Sequence, residues 1–291
     1  MAKEVIIFDS NSELPWKLQE EFGAPYVQMP YIQNDEEHAY DLGKNTDIKG
    51  FYDQVRAGNL PKTNTLPPNF YEEMWRPYLE EGTDILFISF SSGLSGAFDI
   101  INVARNNILP EFPDRKIILV DTLSVSMGCG LLVYYALEMH KAGKSIDEIA
   151  QWLEENKLRV HHFFVVDDLM HLKRGGRLSA SSAVFGSILD VKPVLYINKE
   201  GKAVAAEKIK GRKKVIRRLT ELAVENVVDP EHQVCVILHA DAEENAKLLE
   251  ASVREKLNFK EIWTQWVGPV IGCHAGPGTV ALLFMGKERL M

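Results

Sequence analysis

Short apolar runs alternate with amphipathic segments along the first half of the chain. Four of the runs are typical of buried strands, at residues 5–8, 27–32, 85–90 and 117–120. Helical spacing is clearest at 128–141 and at 146–156, where Ser145 is a candidate N-cap. Strands separated by helices predict a mostly parallel, doubly wound sheet in this half.

Polar residues stand directly after three of these strands, as Asp9-Ser10, Ser91-Ser92 and Asp121-Thr122. A helix is expected to begin near Glu13-Leu14-Pro15, with Pro15 in its first turn, because the residues before it are good helix caps. Ligands of doubly wound sheets bind at the carboxyl ends of the strands, so a binding site is expected among these residues.

The pattern changes after about residue 159. A turn at 198–201 separates an apolar run from a second strand and predicts a β-hairpin. Helical spacing returns at 213–226 and 243–256, a small-residue helix is expected over 178–188, and further strands are expected at 163–166, 234–238, 262–267 and 280–285. The sequence therefore predicts a two-domain α/β protein, with an N-terminal α/β domain at 1–160 and a C-terminal α+β domain at 161–291.

Composition and charge narrow the class of protein. The chain has 291 residues, 46% of them hydrophobic and 25% charged, as in ordinary globular proteins. Its net charge of −8 argues against a nucleic-acid binder, which needs a basic surface. The start resembles a short strand rather than a secretory leader, and no run approaches a membrane span, so a cytoplasmic location is expected. The spacing of cysteines, histidines and acidic residues indicates neither a disulfide framework nor a metal site.

The segment 86–98 carries the strongest chemical signal. An apolar run ends in three hydroxyls and two glycines, among them Ser91, Ser92, Ser95 and Gly96, before helical spacing resumes. A strand that enters a helix in this way places free backbone N–H groups beside serine hydroxyls, which suits a carboxylate or a phosphate. The alternative is a serine N-cap with glycine turns and no ligand.

Three other segments are candidates for a site. Thr63 lies in a proline-rich stretch at 60–68, whose alternative is a simple linker. Arg174 and Arg177 flank a glycine pair in 171–179, where arginine forks suit an anion and the alternative is a solvated turn. His274 lies in a glycine- and proline-rich loop at 267–278, although a lone histidine is often structural.

Nucleotide-binding signals are missing. Gly143-Lys144-Ser145 has no upstream glycine of a P-loop. The loose glycine motif at 276–281 precedes a strand rather than opening a helix. Neither a bound nucleotide nor another cofactor is expected on this chain.

An ordered set of motifs along residues 4–287 resembles the DegV family. The motifs are Asp9-Ser10, Pro61-Lys62-Thr63, Ser91-Ser92-Gly93-Leu94-Ser95-Gly96, Val120-Asp121-Thr122, Leu172-Lys173-Arg174-Gly175-Gly176-Arg177-Leu178, Lys192-Pro193, Gly211-Arg212-Lys213-Lys214 and Ile271-Gly272-Cys273-His274-Ala275-Gly276-Pro277-Gly278. The resemblance implies a two-domain α/β fold with a long-chain fatty acid held between the domains. It also implies a non-catalytic subunit of a bacterial fatty acid kinase, whose separate kinase subunit uses ATP to phosphorylate the bound carboxylate.

The resemblance also implies roles for individual residues. Thr63 and Ser92 match hydroxyls that hold the ligand carboxylate, and Ser91, Ser95 and the Gly96 backbone are expected to complete the pocket. His274 matches a histidine near the carboxylate, and Arg174 or Arg177 matches an arginine associated with phosphate. The chain departs from the family pattern at 64–67 and at Ala97. Candidate walls of the apolar slot are Phe98, Ile101, Met170, Phe185 and Ile188.

A cluster of basic residues stands out on this acidic chain. Helical spacing places several of them on one face, which is a candidate docking patch for an acidic partner such as the kinase subunit. The alternative is a solvated helix face. The residues are Arg212, Lys213, Lys214, Arg217 and Arg218.

Two other functions remain open at this stage. Gly93-Leu94-Ser95-Gly96-Ala97 nearly matches a nucleophile elbow, so Ser95 and His274 are candidates for a serine hydrolase or acyltransferase. A lipid-responsive regulator is the other alternative, and transient contact with a membrane is compatible with a lipid ligand.

Overall fold

The computed structural model describes residues 3–178 and 191–289. The strands in these ranges are β1 (Lys3–Asp9), β2 (Tyr26–Val27), β3 (Pro30–Gln33), β4 (Glu36–Ala39), β5 (Lys62–Thr63), β6 (Thr83–Ser89), β7 (Ile117–Asp121), β8 (Val160–Val165), β9 (Val191–Ile197), β10 (Ala203–Lys210), β11 (Val234–His239), β12 (Glu261–Trp266) and β13 (Val280–Met285). The helices are α1 (Trp16–Phe22), α2 (Ile48–Arg56), α3 (Pro68–Glu80), α4 (Ala97–Ile108), α5 (Met127–Lys141), α6 (Ile146–Asn156), α7 (Leu169–Arg174), α8 (Arg212–Asn226), α9 (Glu243–Lys256) and α10 (Pro269–Ala275). The expected helix over 178–188 lies outside the described residues, apart from Leu178.

The N-terminal half contains the parallel sheet that the sequence predicts. Its strand order is β2-β1-β6-β7, and every pairing in it is parallel. Alternate residues of the central strands face opposite layers: Ile7 and Phe87 pack in one core cluster, Phe8 and Ile88 in another. Helices α3 and α4 contribute to the first cluster and α6 to the second, so the sheet is covered on both faces.

Local capping explains why the ends of α6 could be predicted from the sequence. The Ser145 hydroxyl accepts from the Glu148 backbone N–H at 3.3 Å, and a Glu148 carboxylate oxygen accepts from the Ser145 N–H at 3.0 Å. This capping box satisfies two free donors at the start of α6. The helix begins at Ile146 and ends at Asn156, as the sequence predicts.

The C-terminal half has a mixed sheet in the order β10-β9-β8-β13-β11-β12. Only the pair β11 and β12 is parallel among the pairings of this sheet in the described residues. The predicted hairpin is present, since β9 and β10 are antiparallel and Gly201 closes the turn at φ +72°. Helices α8 and α9 cover one face through a cluster that includes Leu219, Leu249 and Ile237.

Two early expectations are wrong in detail. The helix begins at Trp16, just after the expected start at Glu13-Leu14-Pro15, and Pro15 is its N-cap rather than a residue of its first turn. Glu13 adopts a left-handed backbone with φ of 54°, so the helix cannot include it. The expected strand over 27–32 is divided between β2 and β3, which belong to different sheets. The Met29 N–H donates to the Ser10 hydroxyl at 2.9 Å, and the chain then enters a small antiparallel sheet in the order β4-β3-β5.

The two halves meet over a shared apolar layer. The inner face of the C-terminal sheet contributes Val236, Leu238 and Leu283 to the same cluster as Ile7 and Phe87 of the N-terminal sheet. The expected boundary at residue 160 falls at the first residue of β8. Within residues 3–178 and 191–289, each helix is too short or too polar to cross a bilayer.

Candidate functional site

A cavity of about 150 Å³ lies between the two halves. A single buried water needs about 10–15 Å³ by this kind of measure, so the cavity takes a considerably larger ligand. Its apolar wall combines residues from both sheets and their loops: Met29, Phe90, Leu94, Val125, Phe164, Leu172, Ile197, Leu238, Val267, Val270, Ile271, Ala281 and Leu283. Such a lining with few polar groups is typical of a site for an apolar ligand.

Thr63, Ser95, Arg177 and His274 are polar residues of the same lining. The Thr63 Oγ1 and His274 Nε2 atoms are 2.9 Å apart and share a hydrogen bond. The Arg177 Nε donates to the Leu94 carbonyl at 3.0 Å, next to Ser95 in the chain. The cavity therefore offers hydroxyls, an imidazole and a guanidinium to an anionic group.

A short strand and a short helix fix the positions of Thr63 and His274. Thr63 ends β5, where it is paired with Tyr31 of the small sheet, so the proline-rich stretch is not a simple linker. His274 lies on α10 rather than in the loop expected from its glycines and prolines. Pro269 opens this helix, where its missing N–H costs no hydrogen bond.

Glycine is required where α7 and α10 meet. A Cβ on Gly175 would lie 2.4 Å from the His274 Nδ1 atom, closer than real side chains approach. The segment with Arg174 is itself helical as α7, so the expected solvated turn begins only after Arg174. Arg177, two residues after Gly175, lines the cavity.

We expect Gly175→Ala to weaken binding of an anionic apolar ligand by about tenfold or more, because the added methyl displaces His274 from Thr63. Displacement of a fluorescent fatty acid measures the affinity. Lys173→Ala on the same helix is the control, since Lys173 does not line the cavity. Equal affinity of Gly175→Ala and the unchanged protein would contradict this account of the site.

Burial and a nearby charge set the protonation state of His274. Burial, with a smaller effect from the nearby Arg177 cation, lowers the pKa of His274 to about 4. At neutral pH the imidazole is therefore uncharged and has one donor and one acceptor nitrogen. Arg177 supplies the positive charge among the described lining residues.

The serines of segment 86–98 have two different roles. Ser95 lines the cavity, and its hydroxyl also accepts from the Ala97 N–H at 3.2 Å. Ser91 is fully buried and donates to the Gly201 carbonyl at 2.9 Å, while a Cβ on Gly93 would lie 2.3 Å from the Glu200 carbonyl oxygen. This part of the turn therefore holds the N-terminal half against the β9–β10 hairpin.

Several expected site residues lie off the described lining. Ser92 and Gly96 are exposed, and the Ser92 N–H donates to an Asp121 carboxylate oxygen at 3.2 Å. Arg174 is exposed, and its Nε donates to the Met170 carbonyl. Of the expected apolar walls, Ile101 lies in the core, Met170 is 46% exposed, and Phe98 is absent from the described lining. Phe185 and Ile188 lie outside the described residues.

The geometry does not assemble a serine hydrolase. His274 is hydrogen-bonded to Thr63 rather than to Ser95. In the described part of the chain no carboxylate hydrogen-bonds to His274 to orient it as a general base. The Ser95 hydroxyl instead accepts from the Ala97 N–H at the first residue of α4.

Glu13 is a buried residue at the domain interface that sequence reasoning missed. Its carboxyl group accepts from the Gly268 N–H at the start of α10 and hydrogen-bonds the Ser126 hydroxyl before α5. Burial is the main reason that its pKa is raised to about 8, so the group retains its proton at neutral pH. Nothing local in the sequence indicates this, because an acidic residue after Ser12 resembles an ordinary surface cap.

The basic cluster on α8 is partly neutralised. Arg218 is hydrogen-bonded to Glu207 and Glu225, and Arg212 forms an ion pair with Asp167. Lys213, Lys214 and Arg217 are exposed, and Arg217 forms a surface ion pair with Glu221 at 3.1 Å, a kind of pair that contributes little to stability.

Comparison with known proteins gives one family over nearly the whole chain. The model for "Uncharacterised protein, DegV family" matches residues 3–287. A DegV domain-containing protein of Clostridium perfringens is 40% identical over 289 residues, covering 99% of each protein.

Solved structures give the same result. DegV, a fatty acid binding protein from Bacillus subtilis, has a TM-score of 0.84 at 29% identity, with 99% of this chain and 100% of that chain covered. A fatty acid binding DegV family protein from Streptococcus agalactiae has a TM-score of 0.84 at 30% identity, with the same coverage. Fatty acid binding thus occurs among DegV proteins. The fold, the ordered motifs and these similarities lead to one conclusion: the chain belongs to the DegV family.

Proposed function

We propose that this protein binds a long-chain fatty acid in the cavity between its two domains and presents the carboxylate to a separate, ATP-dependent kinase subunit. The observation that carries the proposal is the combination of a largely apolar cavity with Thr63, His274 and Arg177 on its wall. Each buried methylene favours binding by about 0.8 kcal/mol, whereas a buried carboxylate needs donors to offset its lost hydration.

The neutral His274 suits the role of orienting Thr63. When the imidazole proton is on Nε2, that nitrogen donates to Thr63 Oγ1, and the hydroxyl hydrogen is free for the ligand carboxylate. Arg177 and Ser95 supply the other donors, with Arg177 as the charge-assisted one. This set of donors does not include Ser91, Ser92, Gly96 or Arg174. Ser91 supports the site indirectly, through its hydrogen bond to the β9–β10 hairpin.

The chain has the character of a binding subunit in this scheme, rather than that of an enzyme. The carboxylate oxygen of the lipid attacks the γ-phosphorus of ATP held by the partner, ADP leaves, and an acyl-phosphate forms. The protein supplies the dry slot and the fixed position of the carboxylate. We place this reaction in the bacterial cytoplasm, where its product is a precursor for phospholipid synthesis, and the membrane is the source of the lipid during transient contact.

The test combines the purified protein, palmitate, ATP and a fatty acid kinase subunit, with hydroxylamine to trap the acyl-phosphate as a hydroxamate. We expect hydroxamate only when all the components are present. Binding of palmitate without hydroxamate formation would remove the kinase partner from the proposal and leave a lipid-responsive regulator.

The exposed basic residues on α8 suit docking of an acidic partner. We expect the triple variant Lys213→Glu, Lys214→Glu and Arg217→Glu to slow association with the kinase subunit by about tenfold or more at low salt. Palmitate affinity stays unchanged, because none of the three lines the cavity.

Arg254→Glu on α9 is the matched control for this patch, since it reverses an exposed charge on another helix. Association is measured by stopped-flow fluorescence at two salt concentrations. Equal association rates for the triple variant and the control would remove α8 as the docking surface.

A further inference from the structure

Arg289 is a buried cation that joins the two halves of the protein. Only 5% of it is exposed, and burial lowers its pKa to about 10, so it is charged at neutral pH. One Nη atom donates to the Ile197 carbonyl of the C-terminal half at 3.3 Å, and the other donates to the Leu123 and Lys157 carbonyls of the N-terminal half, both at 3.1 Å. In the part of the chain that the structure describes, no carboxylate pairs with Arg289, so these carbonyls offset the burial of its charge.

The Ile197 carbonyl belongs to a wall of the cavity. Ile197 ends β9 and Ala203 begins β10, and both residues line the cavity, one on each side of the hairpin turn. The turn lies against the N-terminal half, where the Gly201 carbonyl accepts from the Ser91 hydroxyl at 2.9 Å. The approach is so close that a Cβ on Gly201 would lie 2.0 Å from the Ser91 Oγ atom. The hairpin turn is therefore held against this half by a close polar contact.

The Leu123 carbonyl belongs to a strained loop at residues 123–126. Leu123 and Ser126 have left-handed backbones, with φ of 48° and 53°. Residues with side chains rarely adopt such values, and they persist only where surrounding contacts hold the backbone. The bond from Arg289 and the close approach of Gly201 are two such contacts. The loop in turn places Val125 and Ser126 in the lining of the cavity.

Arg289 thus holds two parts of the cavity wall from outside, since it is not itself part of the described lining. Two features oppose this closed arrangement. The Arg289 Nε atom is buried without a partner among the described residues, and the 123–126 loop is strained. Opening would relieve both costs while it breaks the hydrogen bonds of the guanidinium. Such opposing contributions are typical of a segment that opens and closes.

We propose that the β9–β10 hairpin and the 123–126 loop form a gate of the fatty acid cavity, and that Arg289 is the latch that keeps this gate closed. The proposal rests on fatty acid binding in the cavity and adds the control of ligand exchange to it. Because the latch joins only segments of the protein, it holds the gate closed in the free and in the loaded protein alike. Its loss therefore speeds entry and release of the ligand by a similar factor and leaves the affinity nearly unchanged.

The test is stopped-flow fluorescence with cis-parinaric acid, a fluorescent long-chain fatty acid. Mixing it with the protein gives the association rate, and displacement by excess palmitate gives the dissociation rate. In Arg289→Met we expect both rates to rise about tenfold, as the loss of one net hydrogen bond from a charged group predicts. The dissociation constant is expected to stay within about threefold of its value in the unchanged protein, because the latch does not touch the ligand.

Gly201→Ala tests the same gate without a change at Arg289. Its added methyl collides with the Ser91 Oγ atom and displaces the hairpin, so both rates are expected to rise here as well. This variant decides the question if thermal unfolding shows that Arg289→Met is unstable. Arg115→Met is the matched control, because that arginine donates to the Gly82 carbonyl at 2.6 Å within the N-terminal half and lies outside the described lining. Both rates stay unchanged in the control.

The outcomes separate the latch from the proposed function. Faster release with unchanged entry, and a proportional loss of affinity, would mean that Arg289 merely supports the structure, and would overturn the latch. Unchanged rates in Arg289→Met and Gly201→Ala would overturn the gate. Either result leaves fatty acid binding intact, whereas failure of the unchanged protein to bind any fatty acid would overturn both proposals.

Discussion

Replacement of Thr63 by Val together with Arg177 by Met is expected to weaken palmitate binding by at least about a hundredfold. Each substitution removes a proposed donor to the carboxylate, and hydrogen bonds to charged groups contribute about 1.5–3 kcal/mol each. Both side chains line the cavity, and Arg177 supplies the positive charge among its described lining residues. Displacement of a fluorescent fatty acid measures the dissociation constants of the single and double variants.

Thr264→Val is the matched control, because it removes a hydroxyl from β12 that is bonded to Glu250 outside the cavity. Arg177→Met also frees the carbonyls of Leu94 and Gly175, so thermal unfolding of each variant is measured in parallel. Near-normal affinity of a folded double variant would mean that the carboxylate lies elsewhere.

Glu13→Gln is expected to remove a pH dependence from the stability of the folded protein. The folded protein retains the Glu13 proton up to a pKa of about 8, against 4.5 for the free side chain. The folded state therefore binds more protons than the unfolded chain between these values, and stability falls as pH rises through that window. From pH 6.5 to 8 the loss from this group is about 2 kcal/mol, at about 1.4 kcal/mol per unit.

Urea unfolding at pH 6.5, 7, 7.5 and 8 measures this effect as the difference between the unchanged protein and Glu13→Gln. Gln retains an acceptor for the Gly268 N–H without the titratable proton. The histidines with lowered pKa values act in the opposite direction at lower pH, and they are common to both proteins, so the difference isolates Glu13. Glu20→Gln on the exposed α1 is the control. Parallel pH profiles for the two proteins would contradict a protonated Glu13 at the interface.

Local patterns were sufficient for much of the fold. The run that forms β6 and the spacing of Ile101, Ala104 and Ile108 in α4 are visible in sequence, because each pattern reflects burial on one side of a single element. The cap at Ser145 was equally visible, since its hydrogen bonds join residues three apart.

Other parts depend on contacts between distant residues. The glycines and prolines around His274 suggest a loop, yet Pro269 opens a helix, and Gly272 is required because a Cβ there would lie 2.6 Å from the Tyr52 hydroxyl. Gly93 similarly admits the β9–β10 hairpin rather than a ligand. Sequence shows that a glycine is present, but not which neighbour requires it.

The polar groups inside the domain interface were the hardest to predict. Asn11 and Glu13 resemble caps, yet both are buried, and Glu13 accepts from the Gly268 N–H of the C-terminal half. His162 left a weak signal, since it precedes Phe164 by two residues and shares its face of β8. A polar residue on the inner face of an apolar strand was the one sequence signal that this part of the cavity lining is polar.

Native mass spectrometry of the protein as purified from bacterial cells tests the central claim most directly. We predict a complex heavier than the bare chain by the mass of one long-chain fatty acid, which Thr63→Val with Arg177→Met largely loses. A bare chain in the unchanged protein, with no complex after palmitate is added, would contradict fatty acid binding in this cavity.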